Sequence, residues 1–278
     1  MIIDCHTHLN RYEHDQPPTA AERLELLRGE MAAHGIAHAL VLTSYTVNEN
    51  RPSVEEVLEL VEDDPRFSVI AGVDYHELGK KQLRFLRTLL EEGRIRGVKL
   101  YPGYQRFDVR TRRLHPLYGM AGECGVPVMV HTGDTFAHTA KVRYTHPLVF
   151  DEVAVDFRVT SFVLCHMGNP WFVDAMEVVY KNENLYADIS GLTLGDFEPR
   201  YERLVLSRLN DALAFINDPG KLMFGTDWPI CHFGSYLEFA RKLDTTPEEL
   251  DGLMWHNAAR LFHLPVAPPE ERPDVLGD

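Results

Sequence analysis

Apolar residues fall into two alternating patterns along the chain. Short runs rich in Val, Ile and Leu predict β-strands at 1–5, 37–43, 67–73, 95–100, 126–130, 161–165, 184–188 and 221–224. Between them lie stretches with apolar positions three and four residues apart, which predict helices at 23–34, 53–63, 82–92, 114–124, 170–181, 201–217 and 246–253. The chain therefore alternates between strand and helix.

The ends of several predicted helices carry recognisable signals. Gly35, Gly93 and Gly125 follow helical stretches, and Ser53 with Glu56 has the spacing of a capping box. Strands that alternate with helices pair in parallel through right-handed crossovers. Eight such units in one chain predict a single-domain TIM (β/α)₈ barrel over residues 1–266. Residues 267–278, rich in proline and acid, are predicted to form a flexible tail.

Composition excludes several classes of partner. The net charge of −14 disfavours nucleic acid and anionic membranes. No apolar run reaches the roughly 20 residues of a membrane span, and the first residues lack the pattern of a signal peptide. The four cysteines have no CxxC spacing. We therefore expect a cytoplasmic protein that acts on a small molecule.

The first predicted strand leads directly into Asp4-Cys5-His6-Thr7-His8. Side chains two residues apart share one face of a strand, so His6 and His8 are expected to point together into the barrel mouth, where they could hold one zinc ion. Asp4 shares their parity and is expected to support them. Cys5, like Cys165 further on, has the opposite parity and is expected to pack against the helices.

Three further strands end in a polar residue that is followed closely by Gly or Pro. His131 follows the fifth strand, His166 the sixth and Asp227 the eighth. Polar residues at the carboxyl ends of barrel strands are typical of catalytic sites. One of them alone could be a core histidine, but four strands that converge on one mouth predict an active site.

These residues together resemble the amidohydrolase superfamily. The finer motifs are similar to its amidohydrolase-2 branch, which includes the aminocarboxymuconate-semialdehyde-type decarboxylases. They are the segments 97–102 (GVKLYP), 131–133 (HTG), 166–168 (HMG), 188–191 (DISG), 225–229 (GTDWP) and 257–262 (NAARLF). The resemblance runs from Met1 to about Leu264.

The resemblance implies roles for these residues. His6, His8, His131 and Asp227 would hold one divalent metal ion, with zinc expected and manganese, iron or cobalt as alternatives. Asp227 would also accept a proton from water. His166 would lie beside the metal and polarise the substrate or shuttle a proton, with a role as a further metal ligand as the alternative. The resemblance also implies a homodimer.

Four other residues are predicted to contact the substrate: Lys99, Tyr101, Arg143 and Trp171. Lys99 lies in an otherwise apolar strand, where an unpaired ammonium is costly. Three interpretations remain open for it: a substrate anchor, an ion pair inside the barrel with Asp4, or a carboxylated ligand that bridges two metals, as in some amidohydrolases.

The expected activity is hydrolysis of a small amide, lactone or ester. The alternative from the same branch is metal-dependent nonoxidative decarboxylation of an unsaturated or aromatic acid. Those decarboxylases tend to be longer, which favours hydrolysis for this compact chain. A metal-free lactonase and a non-catalytic binding protein are less favoured, since the ligand set is complete.

Overall fold

The computed structural model describes residues 1–266 and confirms the predicted barrel. Its parallel strands follow one another around the sheet in chain order, from β1 to β8. They are β1 (Ile3–Thr7), β2 (His38–Leu42), β3 (Phe67–Gly72), β4 (Val98–Leu100), β5 (Val128–His131), β6 (Phe162–Cys165), β7 (Leu185–Asp188) and β8 (Leu222–Met223). The predicted tail at 267–278 lies outside the described residues.

Helices connect the strands on the outside of the barrel. They are α1 (Ala20–His34), α2 (Val54–Val61), α3 (Lys80–Glu91), α4 (His115–Glu123), α5 (Phe150–Asp156), α6 (Phe172–Lys181), α7 (Pro199–Ile216), α8 (Phe233–Ala240), α9 (Pro247–Asp251) and α10 (Asn257–Leu261). A π-helical turn, Gly252–His256, joins α9 to α10. None of the helices in residues 1–266 combines the length and apolar character that crossing a membrane requires.

Local signals explain several of the helix boundaries. Gly35 ends α1 in the left-handed conformation, and the Ser53 side chain caps α2 by accepting the Glu56 amide. The short helices α5 and α8 were not predicted from the sequence. α5 continues directly from a 3₁₀ turn, and α8 is apolar around most of its circumference, so neither shows the usual amphipathic pattern.

The barrel closes where β8 meets β1. The Cys5 amide donates to the Phe224 carbonyl at 3.0 Å. Beyond it, the Asp227 amide donates to the His6 carbonyl and the His8 amide to the Trp228 carbonyl, both at 2.8 Å. The closure therefore aligns the segment that carries His6 and His8 with the segment that carries Asp227.

Two apolar clusters fill the molecule. One lies between the strands and the helices, and the other occupies the barrel interior, where Ile3, Leu40, Ile70 and Met129 meet Trp255 and Phe262 from the carboxyl-terminal turns.

The prediction that Cys5 and Cys165 pack against the helices is wrong, because both belong to the interior cluster. Between Asp4 and Thr7 the register of β1 against β2 slips by one residue, so the strict alternation assumed for Cys5 and His6 does not hold. Cys165 is the last residue of β6, and the chain then turns at His166 with a φ of +63°. Each cysteine therefore faces inward although the neighbouring histidine does as well.

Candidate metal centre

The carboxyl ends of the strands open into a cavity of about 1110 Å³. Seven of the residues predicted for the site line it: His6, His8, Lys99, Tyr101, His131, His166 and Asp227. This is the end of the barrel at which enzymes of this architecture bind substrates.

Two histidines and one carboxylate present bare acceptor atoms to one another at the cavity floor. His6 Nδ1 lies 2.9 Å from Asp188 Oδ2, and His8 Nδ1 lies 2.7 Å from the Leu42 carbonyl oxygen. Both partners only accept hydrogen bonds, so each Nδ1 carries a proton, and Nε2 is the ring nitrogen left to bind a metal.

The two bare nitrogens face Asp227 Oδ1, which is buried and has no hydrogen-bond donor among the described residues. It lies 3.2 Å from His8 Nε2 and 3.7 Å from His6 Nε2. Three acceptors in such close approach repel one another unless a cation lies among them. Two imidazole nitrogens and a carboxylate oxygen are suitable ligands for a divalent transition metal, so the residues fit the predicted ion.

His131 and His166 form a second pair of facing acceptors beside these three residues. His131 Nε2 lies 2.8 Å from the Asp134 carbonyl oxygen, and His166 Nδ1 lies 3.0 Å from the Ser190 carbonyl oxygen. The remaining nitrogens, His131 Nδ1 and His166 Nε2, are 3.1 Å apart. Both carry lone pairs in the neutral rings, so this contact is stable only with a shared proton or a cation nearby.

This arrangement suits one of the two roles predicted for His166, the proton shuttle. The ring proton of a neutral His166 points at Ser190 and is not available to a substrate. His166 can therefore accept a proton at Nε2 first and donate it afterwards. The role of His131 as the fourth ligand stays a prediction, since its ring lies next to the three converging acceptors without joining their group.

Asp188 and Ser190, at the end of β7, hold both critical histidines. Asp188 accepts from His6 Nδ1 through Oδ2, and from the His166 amide at 2.9 Å through Oδ1. The Ser190 hydroxyl donates to Asp188 Oδ1 at 2.5 Å and lies 2.9 Å from His6 Nδ1 and 3.0 Å from His166 Nδ1. Both residues were missed as functional groups, although Asp188 is a polar strand end like the residues that were found.

Burial and charge set the protonation of the site. Burial, followed by the charge of Lys99, lowers the pKa of His6 to about 3, and burial also holds the pKa of His131 and His166 below the usual value. Burial alone would raise the pKa of Asp227, but the surrounding histidines, His8 first, bring it below its ordinary value. Neutral imidazoles and an ionised carboxylate are the forms that bind metals.

Asp4 joins the two ends of the barrel beneath this site. Its carboxyl group accepts from the Thr226 hydroxyl at 2.6 Å and from the amides of Thr226 at 3.1 Å and His6 at 2.9 Å. Burial raises the pKa of Asp4 to about 7. The expected support of the His6 segment is therefore made through the backbone.

The cavity wall carries three cations, Arg11, Arg51 and Lys99, and several tyrosines. Arg51 Nη1 donates to the Ser44 hydroxyl at 3.1 Å, and its guanidinium lies 5.5 Å from the centre of the Tyr45 ring. Lys99 is buried, and its Nζ lies 2.6 Å from Cys165 Sγ. Among residues 1–266, no carboxylate forms an ion pair with Lys99, so the predicted pairing with Asp4 is absent.

The other predicted substrate residues take different positions. Tyr101 lines the cavity, with its hydroxyl donating to the Thr43 carbonyl at 2.5 Å. Trp171 instead lines a neighbouring pocket of about 320 Å³ and packs against His146. Arg143 is exposed and lies over the Tyr144 ring. The structure therefore does not bring Arg143 or Trp171 to the cavity that holds the histidines.

Comparison with known proteins identifies the class. The amidohydrolase family model matches residues 3–264, so the chain belongs to this family, in the predicted amidohydrolase-2 branch. Its relatives include both hydrolases and decarboxylases. No curated protein matches the chain.

Solved structures agree with the fold. An uncharacterised TIM-barrel protein from Bordetella bronchiseptica has a TM-score of 0.74 at 25% identity, with 95% of this chain and 98% of that chain covered. A probable 2-pyrone-4,6-dicarboxylic acid hydrolase from Acinetobacter baumannii has a TM-score of 0.68 at 14% identity, with 94% of this chain and 99% of that chain covered. A dihydroxybenzoic acid decarboxylase from Polaromonas, with bound manganese, has a TM-score of 0.67 at 16% identity, with 96% of this chain and 98% of that chain covered.

Proposed function

We propose that this chain is a metal-dependent hydrolase that cleaves a small, anionic amide, lactone or ester. His6, His8, His131 and Asp227 would hold one divalent ion, with zinc expected and manganese, iron or cobalt as alternatives. The supporting observation is the buried Asp227 Oδ1, which has no donor in the described chain and faces two bare imidazole nitrogens.

The chemistry follows from the charge states of these residues. A divalent ion at this position would polarise the substrate carbonyl and lower the pKa of an adjacent water toward about 7. Asp227, which is ionised, accepts the proton from the attacking water. His166 has a lone pair at Nε2, so it takes up a proton there and delivers it to the leaving group.

The cavity wall supports an anionic substrate. Lys99 and Arg51 are cations that line the cavity and lack a carboxylate partner among the described residues. A substrate carboxylate would supply the missing countercharge. Tyr45, Tyr101 and Tyr104 form an aromatic wall beside them, which suits a planar or unsaturated substrate.

The first test is the metal content of the purified protein, measured by plasma mass spectrometry before and after chelation. We expect about one divalent ion per chain, and a metal-free but folded and active protein would contradict the proposal. Two ions would instead favour Lys99 as a bridging ligand.

Activity is then tested with 2-pyrone-4,6-dicarboxylic acid, a lactone that the name of one structural relative suggests. Hydrolysis releases acid, which a pH indicator records. The matched control is Asp227→Asn with its metal content measured. We expect it to lower turnover at least about 100-fold, and activity within roughly tenfold of wild type would exclude the proton-accepting role.

Decarboxylation is the second candidate. The Polaromonas decarboxylase shares the fold over 98% of its chain, so the fold does not separate hydrolases from decarboxylases. The same cations could hold the carboxylate that is lost. A dihydroxybenzoic acid serves as the probe, and release of carbon dioxide without acid release would favour the lyase. The homodimer expected from the family stays a prediction.

A further inference from the structure

Lys99 and Cys165 meet at the base of the cavity, on β4 and β6. Both side chains are buried, with 1% and 0% of their surface exposed. Lys99 Nζ lies 2.6 Å from Cys165 Sγ. The proposed reaction uses the charge of Lys99 but assigns no task to the thiol.

Few polar groups compete for the Lys99 amine. Within residues 1–266, the thiol of Cys165 is its only hydrogen-bond partner, and the Tyr101 ring lies 5.5 Å away. The thiol itself also has polar neighbours, since the ligand atoms of His6 and Asp188 lie within 4.8 Å of Cys165 Sγ. A buried ammonium normally has a carboxylate or several oxygen acceptors around it. A single thiol is a poor substitute, so solvation of the amine does not explain why these two groups are placed together.

The separation itself is informative. It is shorter than the typical N–H···O hydrogen bond of about 2.9 Å, although sulfur is larger than oxygen. It is longer than a direct nitrogen–sulfur bond, and it matches two single bonds that meet at one intervening atom. An oxygen atom inserted between Nζ and Sγ would therefore fit with little movement of either strand.

We propose that Lys99 and Cys165 are a modification site, at which peroxide forms a reversible covalent N–O–S bridge between the two side chains. The inference does not depend on the proposed hydrolase activity. It adds a redox-sensitive state to the same cavity.

The chemistry balances with hydrogen peroxide as the oxidant. In the first step the Cys165 thiol attacks one peroxide oxygen, the O–O bond breaks, and sulfenic acid and one water form. In the second step the Lys99 ammonium releases one proton to solvent, and a further peroxide removes two electrons from the resulting amine. The N–O bond to the sulfenic oxygen forms, and two waters leave with the displaced hydrogens. The sum is one amine, one thiol and two peroxides giving one N–O–S bridge and three waters. Two equivalents of a dithiol reverse the reaction, because reducing the bridge to amine, thiol and one water takes four electrons.

The bridge would change the cavity. It converts the Lys99 ammonium into a neutral group, which removes one of the three cations that line the cavity, the others being Arg11 and Arg51. It also ties β4 to β6 across β5. Peroxide is small enough to reach Lys99 through the cavity that this residue lines.

Other cysteines define the competing products. Cys5 lies in the same interior cluster and could form a disulfide with Cys165, whereas Cys124 is partly exposed on the surface. Burial raises the pKa of the Cys165 thiol well above its usual value, so we expect its oxidation to be slower than that of an exposed thiol.

The test is peptide mass spectrometry of the zinc-loaded full-length protein before and after treatment with hydrogen peroxide. We expect a cross-linked pair of peptides that contain Lys99 and Cys165, heavier by about 14 Da for one oxygen gained and two hydrogens lost. Dithiothreitol should restore the separate peptides. Cys165→Ser and Lys99→Arg should abolish the product, and Cys5→Ser should retain it.

Three results would overturn the proposal. A loss of about 2 Da indicates a disulfide or a direct N–S bond, and a gain of about 32 or 48 Da on Cys165 alone indicates ordinary sulfinic or sulfonic acid. An unmodified Lys99 and Cys165 after oxidation of Cys124 would also exclude the bridge. All three are read from the wild-type protein, so the test does not require that the variants fold.

Discussion

His6 Nδ1 donates to Asp188 Oδ2 across 2.9 Å, although the two residues are 182 positions apart in the chain. Because the proton is held on Nδ1, the lone pair of Nε2 faces His8 and Asp227. Asp188, which would not contact the metal, therefore fixes the tautomer of His6, which would bind it.

We predict that Asp188→Asn lowers metal affinity by about 10- to 100-fold, because the variant weakens the hydrogen bond that fixes the His6 tautomer. Affinity is measured by competition between the metal-free protein and a chromogenic chelator. Asp196→Asn is the control, since Asp196 pairs with His232 in an exposed position. Equal affinities for the two variants would show that Asp188 does not orient His6.

The facing nitrogens of His131 and His166 lead to a second prediction. If His131 is the fourth ligand, His131→Ala lowers metal affinity at least about 100-fold, while His166→Ala lowers it by less than about tenfold. The same chelator competition measures both. The reverse order would assign the ligand role to His166 and leave His131 as the proton carrier.

A third prediction concerns Gly191, where the structure leaves no room for a side chain. A Cβ atom there would lie 2.5 Å from His166 Nδ1 and 2.8 Å from Asp227 Oδ2, and the φ of +60° disfavours any side chain. We expect Gly191→Ala to reduce the free energy of unfolding by at least about 1 kcal/mol, and to weaken metal binding as well.

The control for this variant is Gly119→Ala in α4, where a Cβ meets nothing within 4 Å. Alanine favours a helix over glycine, so this change should stabilise the protein by up to about 1 kcal/mol. Urea denaturation in the presence of chelator measures both variants. Gly191→Ala as stable as wild type would mean that His166 and Asp227 can move apart freely.

The burial of His38 leads us to expect that stability depends on pH. It is buried next to the Ser68 hydroxyl, and burial, followed by the charge of Arg96, lowers its pKa to about 4. In the unfolded chain His38 is protonated below a pH of about 6.5, whereas in the folded chain it is protonated only below about pH 4. Stability therefore falls as the pH decreases between these two values. Between pH 7 and pH 5 the protonation of His38 should lower the free energy of unfolding by about 2 kcal/mol.

Urea denaturation at a series of pH values, with chelator present, measures this contribution. His38→Gln should lose about 2 kcal/mol less than wild type between pH 7 and pH 5. His14→Gln, at an exposed site, should follow the wild-type curve. Parallel curves for wild type and His38→Gln would show that His38 takes up its proton equally in both states.

The sequence alone was sufficient for the strand order and for the residues that surround the cavity. Every strand overlaps its predicted range, because short runs of β-branched residues between helices are a strong local signal. His6, His8, His131, His166 and Asp227 were found because each lies at the carboxyl end of a strand, a position that is readable from the chain.

What could not be predicted depends on backbone geometry and on tertiary contacts. The register slip in β1 and the left-handed φ at His166 reversed the expected direction of Cys5 and Cys165. Loop residues gave the weakest predictions: Arg143 and Trp171 lie after the right strands, but the path of each loop carries them away from the cavity. Arg51, on the loop after β2, was not found for the same reason.

The closure of the barrel links metal binding to the synthesis of its eighth strand. A ribosome produces His6 and His8 well before Asp227, and Asp227 and the hydrogen bonds that align it with the His6 segment come from the segment that follows the eighth strand. A nascent or truncated chain that lacks this strand has an incomplete ligand set. The metal content of a preparation would then report the fraction of molecules whose first and last strands have joined, which makes it a measure of folding quality as well as of catalytic readiness.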